Sequence, residues 1–268
     1  MDIFWAVLWF AVLGGLFGGL LALADRFFKV EKDEREDKIR ENLPGANCGG
    51  CGFAGCDALA AAIVKGEAKC SACPVCSDEQ IGEICKIMEI SPEPAVKLRA
   101  QVMCSGVCDT ARIKYVYEGE DDCSAAMRLG GGPKECPQGC IGLGTCVKAC
   151  PFGAISVQNG VAFVDYSICT GCGVCVASCP KKIIKLIPCS AGTWVACSSR
   201  DKGVKVRSYC DAGCIGCGIC ARKCKTGAIT VNDNVASIDY EKCTGCGECA
   251  AACPRKIIIT AGKCVIGG

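Results

Sequence analysis

The most continuous hydrophobic pattern in the chain is at its N-terminus, where every residue from 3 to 24 is apolar or glycine. A helix of this length is long enough to cross the hydrocarbon core of a bilayer. Only Met1 and Asp2 precede the run, so it lacks the basic segment that begins a signal peptide, and it is longer than the apolar part of one. Although Ala22-Leu23-Ala24 resembles a cleavage site, we predict a retained transmembrane anchor over residues 1–25.

The charges that follow the apolar run predict its orientation. No basic residue precedes the run, and six follow it closely: Arg26, Lys29, Lys32, Arg35, Lys38 and Arg40. The positive-inside rule then places the rest of the chain on the cytoplasmic side of the cell membrane. Residues 26–43 carry mixed charges, and we predict a solvated helical linker there. Two Gly-x-x-x-Gly pairs in the run, at 14–18 and 15–19, favour contact with another membrane helix.

Composition narrows the chemistry that the remaining residues can support. The 268 residues include 30 cysteines and no histidine, and the formal net charge is +2. The chain therefore cannot form a Ser-His-Asp or Cys-His catalytic site, an imidazole-ligated zinc site, a Rieske centre or a His-ligated haem. A near-neutral charge does not favour nucleic-acid binding. Many cysteines fall in Cys-x-x-Cys-x-x-Cys runs, which in a reducing compartment favour metal centres over disulfide bonds.

The C-terminal half of the chain repeats itself with a constant offset of 74 residues. The frame includes apolar segments, since Gly153-Ala154-Ile155 recurs as Gly227-Ala228-Ile229. We predict two copies of one module, at residues 136–188 and 210–268, joined by a connector at 189–209. Within each copy, a short strand, a turn and a second strand separate two cysteine runs. The cysteines that recur in frame are Cys140, Cys146, Cys150, Cys169, Cys172, Cys175 and Cys179, matched by Cys214, Cys220, Cys224, Cys243, Cys246, Cys249 and Cys253.

Each module closely resembles the bacterial two-cluster ferredoxin. The pattern Cys-Thr-Gly-Cys-Gly-x-Cys-x-x-x-Cys-Pro occupies residues 169–180 and again 243–254. The close-spaced triple wraps around one face of a [4Fe-4S] cube, and a short helix carries the fourth cysteine to the other cube of the pair. Glycines such as Gly173 and Gly247 permit close backbone approach, so that amide N–H groups point at sulfur.

The ferredoxin resemblance implies the cluster ligands. Three sets follow its pattern: Cys169, Cys172 and Cys175 with Cys150; Cys214, Cys217 and Cys220 with Cys253; Cys243, Cys246 and Cys249 with Cys224. The remaining set departs from it, because Leu143 stands where the middle cysteine is expected. We predict Cys136 as the substitute, which gives Cys136, Cys140, Cys146 and Cys179, with a three-cysteine [3Fe-4S] centre as the alternative. Cys210 is the equivalent of Cys136 although Cys217 is present, so the role of Cys136 is open.

A further cysteine group lies in a predicted domain over residues 44–90. A chelating Cys-x-x-Cys pair is followed by a glycine-rich loop, a predicted helix at 57–64 and a Cys-Pro. This spacing suits one more [4Fe-4S] cluster, five in all, with zinc as the alternative occupant. The candidate ligands are Cys48, Cys51, Cys56 and Cys73, with Cys70 and Cys76 as competitors for the fourth position.

Taken with the anchor and the linker, these motifs resemble the B subunit of the Rnf ion-translocating electron-transport complexes. The resemblance includes Cys-Ser-Gly at 104–106, Tyr-Val-Tyr-Glu-Gly at 115–119 and Gly-Gly-Pro-Lys at 131–134, within a connecting segment over 91–135. It implies an α+β fold with one transmembrane helix, a small [4Fe-4S] domain and two tandem two-cluster modules. It also implies a translocase subunit that relays electrons between soluble ferredoxin and the other Rnf subunits, which hold the flavins, the NAD site and the ion path.

Other functions agree less well with the sequence. The chain has no P-loop and no Gly-x-Gly-x-x-Gly, so we expect no nucleotide site and no catalytic residue. A zinc-binding structural protein is the remaining alternative. The basic pairs Lys181-Lys182 and Arg255-Lys256 are candidate docking residues for an acidic ferredoxin. The direction of electron flow, the coupling ion (Na⁺ or H⁺), and the potentials and order of the clusters do not follow from the sequence.

Ten cysteines lie outside the five predicted sets: Cys70, Cys76, Cys85, Cys104, Cys108, Cys123, Cys189, Cys197, Cys210 and Cys264. Free buried cysteine is a common small hydrophobic residue, so some of them need no ligand. Cys123 and Cys136, however, recur in frame as Cys197 and Cys210. A sixth cluster that uses some of Cys104, Cys108, Cys123, Cys197 and Cys210 is therefore a hypothesis.

Overall fold

A computed structural model describes residues 2–27, 33–92 and 96–260. Helix α1 (Asp2–Phe27) holds the one segment of these ranges that is long and apolar enough to cross a membrane, Val7–Ala24, with a mean hydropathy of 2.2. None of that segment is buried against the rest of the protein. Its apolar surface is therefore available to lipid, which is consistent with the predicted anchor.

Three helices form a small N-terminal domain: α2 (Glu34–Asn42), α3 (Cys56–Val64) and α4 (Asp78–Ile87). Leu59 and Ile63 of α3 pack with Ile84 of α4 in one buried cluster. Helix α4 begins with a capping box, in which the Ser77 hydroxyl accepts from the Gln80 amide and the Gln80 side chain accepts from the Ser77 amide. Helix α3 confirms the predicted helix over 57–64.

The segment predicted as a solvated linker is in part a core element. Helix α2 lies within it, and its Ile39 is fully buried, while Leu43, one turn later, is 4% exposed. Arg40 also forms an ion pair with Asp57 at the start of α3 (2.7 Å). Two apolar side chains one turn apart can dock a short helix, and the surrounding charges hid them in the overall composition. Residues 28–32 of the predicted linker lie outside the described residues.

The first module contains two short helices, a hairpin and a further strand: α6 (Thr145–Ala149), β2 (Ile155–Gln158), β3 (Val161–Val164), α7 (Val174–Ser178) and β4 (Ile184–Pro188). Strands β2 and β3 are antiparallel, with Ile155 opposite Val164 and Gln158 opposite Val161. The buried cluster of this module combines aliphatic strand residues with cysteines. The hydrophobic core and the candidate metal sites are thus the same region.

The second module repeats these elements 74 residues later: α9 (Ile219–Lys223), β6 (Ile229–Asn232), β7 (Val235–Ile238), α10 (Glu248–Ala251) and β8 (Ile258–Thr260). All four short helices begin after a glycine with φ between 70° and 80°, namely Gly144, Gly173, Gly218 and Gly247. Other residues rarely adopt this left-handed conformation, so glycine is the fitting residue there. The repeat seen in the sequence is therefore also a repeat of structure.

The segments before the two modules, which the sequence predicts as connectors, contribute a strand each. Strand β1 (Leu98–Val102) pairs antiparallel with β4, and β5 (Thr193–Val195) pairs antiparallel with β8. The same segments hold α5 (Cys123–Arg128) and α8 (Gly203–Tyr209). Short strands next to glycine-rich loops have little hydrophobic pattern of their own, and pairing with a module strand is what orders them.

Arg99 of β1 connects the two modules. Its side chain is fully buried, and its guanidinium lies 3.8 Å from the centre of the Tyr166 ring and 5.2 Å from that of Trp194 on β5. It also donates a hydrogen bond to the Ala191 carbonyl (3.0 Å). Buried cation–π contacts of this kind contribute up to about 2 kcal/mol each. The stack holds the sheet of the first module against that of the second.

Candidate metal centres

No disulfide bond links the 29 cysteines of the described residues, and Cys264 lies outside them. Many of the thiols are in the interior. Burial raises the pKa of Cys140 to about 11 and that of Cys175 to about 12. A buried thiolate without a cation is unfavourable, and metal binding with release of the proton offsets this cost. The buried cysteines are thus suited to metal.

One complete predicted ligand set lines a single cavity in the second module: Cys214, Cys217, Cys220 and Cys253. The other residues that line it include Ile257 and Ile258. Burial raises the pKa of Cys220, and the charges of Cys214, Cys217 and Cys253 add to the rise, which reflects how near they lie. The structure brings together here the four thiols that the ferredoxin pattern implies.

The equivalent cavity of the first module has a different fourth cysteine. The thiols that line it are Cys123, Cys140, Cys146 and Cys179. Burial raises the pKa of Cys146 to about 12, with further contributions from Cys140, Cys123 and Cys179. Cys136, the predicted substitute for the cysteine missing at Leu143, does not line this cavity. Cys123 lines it instead, together with Cys140, Cys146 and Cys179.

A small hydrogen-bond network at the start of helix α5 positions Cys123 at this cavity. Asp122 caps α5 by accepting from the Ala125 amide (2.8 Å), and it also accepts from the Thr145 hydroxyl (3.0 Å). The Thr145 hydroxyl in turn accepts from the Cys123 amide (2.6 Å). Because Thr145 is the first residue of α6, this network fixes the start of α5 beside Cys146. The one sequence feature that could have indicated this arrangement is Asp122, a favourable N-cap residue directly before Cys123.

The third set, Cys150, Cys169, Cys172 and Cys175, is also drawn together. Burial raises the pKa of Cys175, with further contributions from Cys169, Cys172 and Cys150. The amide of Ala100 on β1 donates to the Cys169 sulfur (3.4 Å). Of the fourth set, Cys243 and Cys246 lie near Cys249, whereas Cys224 contacts the Thr226 hydroxyl (3.5 Å). Helices α9 and α10 pack together, and the placement of Cys224 in this set stays a prediction.

In the N-terminal domain, Cys70 and Cys76, the two alternatives to Cys73 as the fourth ligand, have different neighbours. The Cys76 thiol donates to Cys73, which lowers the pKa of Cys73 to about 6 and raises that of Cys76. Cys51 and Cys56 lie close enough to Cys76 to contribute to its raised pKa. Cys70 instead faces Cys85: burial raises its pKa to about 11, and a hydrogen bond to Cys85 adds to the rise. Cys73 therefore stays our predicted ligand, with Cys76 as its neighbour.

Cys136 lines another cavity, which lies between the two modules. The other cysteines that line it are Cys104, Cys197 and Cys210. Burial raises the pKa of Cys136, with contributions from Cys104 and Cys210. None of these four belongs to a cavity described above.

Zinc and a [4Fe-4S] cluster require different arrangements of four thiols. In the described ranges, no group of three or more Cys, Asp or Glu side chains is arranged to hold a metal ion. A tetrahedral zinc ion requires its sulfurs about 2.3 Å from one point, and hence about 3.8 Å from one another. A [4Fe-4S] cube is bound at four separate iron corners, so its ligands surround a larger body. Four thiols around a cavity with aliphatic walls therefore fit a cube.

One residue of each basic pair proposed for docking forms hydrogen bonds within the protein. The Lys181 ammonium donates to the carbonyls of Gly131 and Pro137 (2.6 Å each). Arg255 donates to the Cys210 carbonyl (2.6 Å). Only Lys182 and Lys256 of the two pairs are exposed, so the docking hypothesis is weaker than the sequence suggested.

The fold and these sites define a ferredoxin-type iron–sulfur protein that begins with one apolar helix. Comparison with family models agrees: a model described as "Putative Fe-S cluster" matches residues 43–75, and two described as "4Fe-4S dicluster domain" match 135–184 and 213–257. The 43–75 match contains Cys73 and stops before Cys76.

Named relatives match most of the chain. The B subunit of the Na⁺-translocating ferredoxin:NAD⁺ oxidoreductase complex of Acetobacterium woodii is 47% identical over 232 residues, 86% of this chain and 70% of that protein. The B subunit of an ion-translocating oxidoreductase complex of Methanosarcina acetivorans is 42% identical over 252 residues, 92% and 96% of the two chains. That of the proton-translocating ferredoxin:NAD⁺ oxidoreductase complex of Clostridium ljungdahlii is 43% identical over 230 residues, 85% and 81%. The chain therefore belongs to the family of B subunits of Rnf-type ion-translocating oxidoreductase complexes.

Proposed function

We propose that this chain is the membrane-anchored electron-transfer subunit of an Rnf-type ferredoxin:NAD⁺ oxidoreductase, and that it relays electrons between soluble ferredoxin and the other subunits. Family membership and the 4Fe-4S domains support an electron-transfer role. The [4Fe-4S] clusters would supply one-electron redox chemistry, which needs no acid, base or nucleophile from the protein. A chain without histidine is compatible with such a function.

Five ligand sets are proposed for these clusters. They are Cys48, Cys51, Cys56 and Cys73; Cys123, Cys140, Cys146 and Cys179; Cys150, Cys169, Cys172 and Cys175; Cys214, Cys217, Cys220 and Cys253; Cys224, Cys243, Cys246 and Cys249. The second set carries the change from Cys136 to Cys123 that the cavity lining supports. The other four keep the sets implied by the sequence.

The observation that carries the proposal is that neighbouring sites touch. A methyl group on Gly50, between Cys48 and Cys51, would lie 2.4 Å from the carbonyl oxygen of Cys172. The N-terminal domain and the first module are therefore in backbone contact at their candidate ligands. Burial raises the pKa of Cys172, and the charge of Cys48 contributes. Close succession of sites is what a relay requires.

The residues around the thiols set the environment of each site. Amide groups that donate a hydrogen bond to a ligand sulfur, as Ala100 does to Cys169, would stabilise the more negatively charged state of a bound cluster. Aliphatic residues such as Ile183 and Ile184 exclude water from the cavity of the first module. Hydrogen bonds and burial of this kind are the means by which a protein adjusts cluster potentials.

The apolar helix and the charges after it support a location of the sites beside the membrane. We propose that α1 spans the bilayer once and that the cysteine-rich part lies on the cytoplasmic side, where soluble ferredoxin is found. In this chain no nucleotide motif accompanies the cysteines, so the NAD site and the ion path belong to other subunits of the complex.

The test uses the full-length chain, extracted in detergent and purified without oxygen. We expect at least about 20 iron atoms and as many acid-labile sulfides per chain, and visible absorption that bleaches with dithionite. Reduced ferredoxin should bleach the same absorption, whereas NADH alone should not. A colourless protein that contains zinc would contradict the proposal, and a brown protein that ferredoxin does not reduce would contradict the assigned partner.

A further inference from the structure

The cavity between the two modules is lined by cysteines that the five sets do not use. Cys104 and Cys136 come from the side of the first module, and Cys197 and Cys210 from that of the second. Like each of the two cavities inside the modules, this cavity is lined by four cysteines. The number of thiols therefore matches that of the proposed cluster sites.

The four thiols are related by an approximate twofold symmetry. Cys104 stands two residues after β1, and Cys197 stands two residues after β5. The Ser105 hydroxyl donates to the Ala196 carbonyl (3.0 Å), and the Ser198 hydroxyl donates to the Met103 carbonyl (2.9 Å). These reciprocal bonds hold the two Cys-Ser segments against each other. Cys104 and Cys197 are therefore structural equivalents, although the 74-residue frame aligns Cys197 with Cys123.

The other two thiols, Cys136 and Cys210, are equivalent both in the structure and in the 74-residue frame of the sequence. Cys136 and Cys210 are 74 residues apart. Cys210 is held by a β-bridge to Ala111, which follows Cys104 closely in the chain. A methyl group on Gly106 would lie 3.5 Å from the Cys210 sulfur and 3.7 Å from the Cys104 sulfur. Glycine at this position thus leaves room beside two of the thiols.

The surroundings of the cavity favour an anionic occupant. Backbone amides already point at two of the sulfurs: Cys140 N–H donates to Cys104 (3.5 Å), and Cys214 N–H donates to Cys197 (3.3 Å). The Lys134 side chain lines the cavity and is 5% exposed. Its ammonium donates to the carbonyls of Gly106 and Gly160, and no carboxylate of the described ranges forms a salt bridge with it. A buried cation requires a compensating charge, which thiolates around a cluster provide.

We propose that Cys104, Cys136, Cys197 and Cys210 bind a sixth [4Fe-4S] cluster, shared by the two modules. The inference rests on the proposed function, because it assumes the chemistry of the other five sites. It also extends that function: Cys140 and Cys214, which donate to its ligands, are themselves proposed ligands of the flanking sites. The shared cluster therefore joins the series of the first module to that of the second.

The test compares iron in the full-length chain and in a variant with one ligand removed from each module, Cys104→Ala with Cys197→Ala. We expect about 24 iron atoms per chain in the unaltered protein and about four fewer, with about four fewer sulfides, in the variant. The matched control is Cys108→Ala, because Cys108 is near Cys104 in the chain, is exposed and does not line the cavity. The control should keep the full iron content.

Two further variants keep the proposal testable if the double change prevents folding. Cys136→Ala and Cys210→Ala each remove one ligand, and each should lower the iron content and alter the EPR spectrum of the reduced protein. Full iron content in both would overturn the proposal, as would one zinc ion beside about 20 iron atoms in the unaltered chain. An unaltered chain without iron would instead contradict the proposed function.

Discussion

In the ligand sets that we propose, the two ferredoxin-like modules complete an equivalent metal site in different ways. In the second module all four thiols belong to the module itself, Cys217 among them. In the first module Leu143 stands at the matching position, and Cys123 of α5 approaches from outside. We therefore propose that the fold tolerates loss of a ligand within its triple when a neighbouring element supplies another thiol.

The length of the preceding segment explains the difference. Thirty-two positions separate Cys104 from Cys136, but only thirteen separate their counterparts Cys197 and Cys210. The longer segment contains α5 and thus Cys123. Two cysteines 74 residues apart, Cys123 and Cys197, consequently line different cavities. Here the residues that align in sequence are not the residues that are equivalent in the structure.

The largest expected effect comes from the glycine of the Cys-Thr-Gly-Cys motif in the first module. Gly171 has φ +72°, and a methyl group there would lie 2.1 Å from the Leu98 carbonyl oxygen of β1. Gly171→Ala therefore forces β1 away from the Cys169 loop and adds overpacking of about 1–3 kcal/mol to the strain. We expect loss of about four iron atoms per chain and a lower temperature at which the visible absorption is lost.

The matched control is Gly245→Ala, the same position of the second module. Gly245 has φ +73°, but a methyl group there meets nothing within 4 Å. Only the left-handed strain of about 1–2 kcal/mol applies, and the iron content should be unchanged. Equal loss of iron in both variants would show that strain, and not contact with β1, determines the outcome.

This contrast also shows what the sequence can predict. The cysteine triples and the strand pairs between them follow local sequence patterns, and the short helices follow from the ferredoxin resemblance, so these elements could be predicted from the sequence. The approach of Cys123 to the first-module cavity involves a hydrogen bond from its amide to the Thr145 hydroxyl, 22 residues away in sequence, which no spacing rule contains. Ile39 was likewise hidden by the charges around it. Contacts between distant segments, which depend on the packed fold, account for both differences.

The next largest effect is expected at the cysteines that distinguish the two equivalent cavities, Cys123 in the first module and Cys217 in the second. Cys123→Ala leaves Cys140, Cys146 and Cys179 in the first-module cavity. A cube with three protein ligands loses iron readily, so we expect at least about one iron atom fewer per chain. EPR of the oxidised protein should show a [3Fe-4S] signal. The corresponding change in the second module, Cys217→Ala, should have the same effect on that module.

A second substitution sharpens this test. Adding Leu143→Cys to Cys123→Ala gives the first module the cysteine pattern of the second, and we expect the full iron content to return. Leu143 packs beside Cys123 and Ile141, so a smaller side chain costs some stability there, on the order of 1–3 kcal/mol. If the double variant lacks the same iron as Cys123→Ala, the Cys123 thiol is not a replacement for the cysteine at position 143.

The smallest expected effect concerns an ion pair that only the second module has. Lys225 lies 2.6 Å from Glu248, and the equivalent positions of the first module are Pro151 and Val174. The two side chains are 80% and 40% exposed, so the pair contributes little to stability. The charge of Lys225 lies near enough to Cys246 to interact with it, since that thiolate contributes, after Glu248, to the raised pKa of Lys225. Lys225→Ala should therefore shift one midpoint potential to a slightly more negative value, and high salt should abolish the difference because exposed charges are screened. An unchanged potential at low salt would mean that burial and amide hydrogen bonds, which the two modules share, govern this site without help from surface charge.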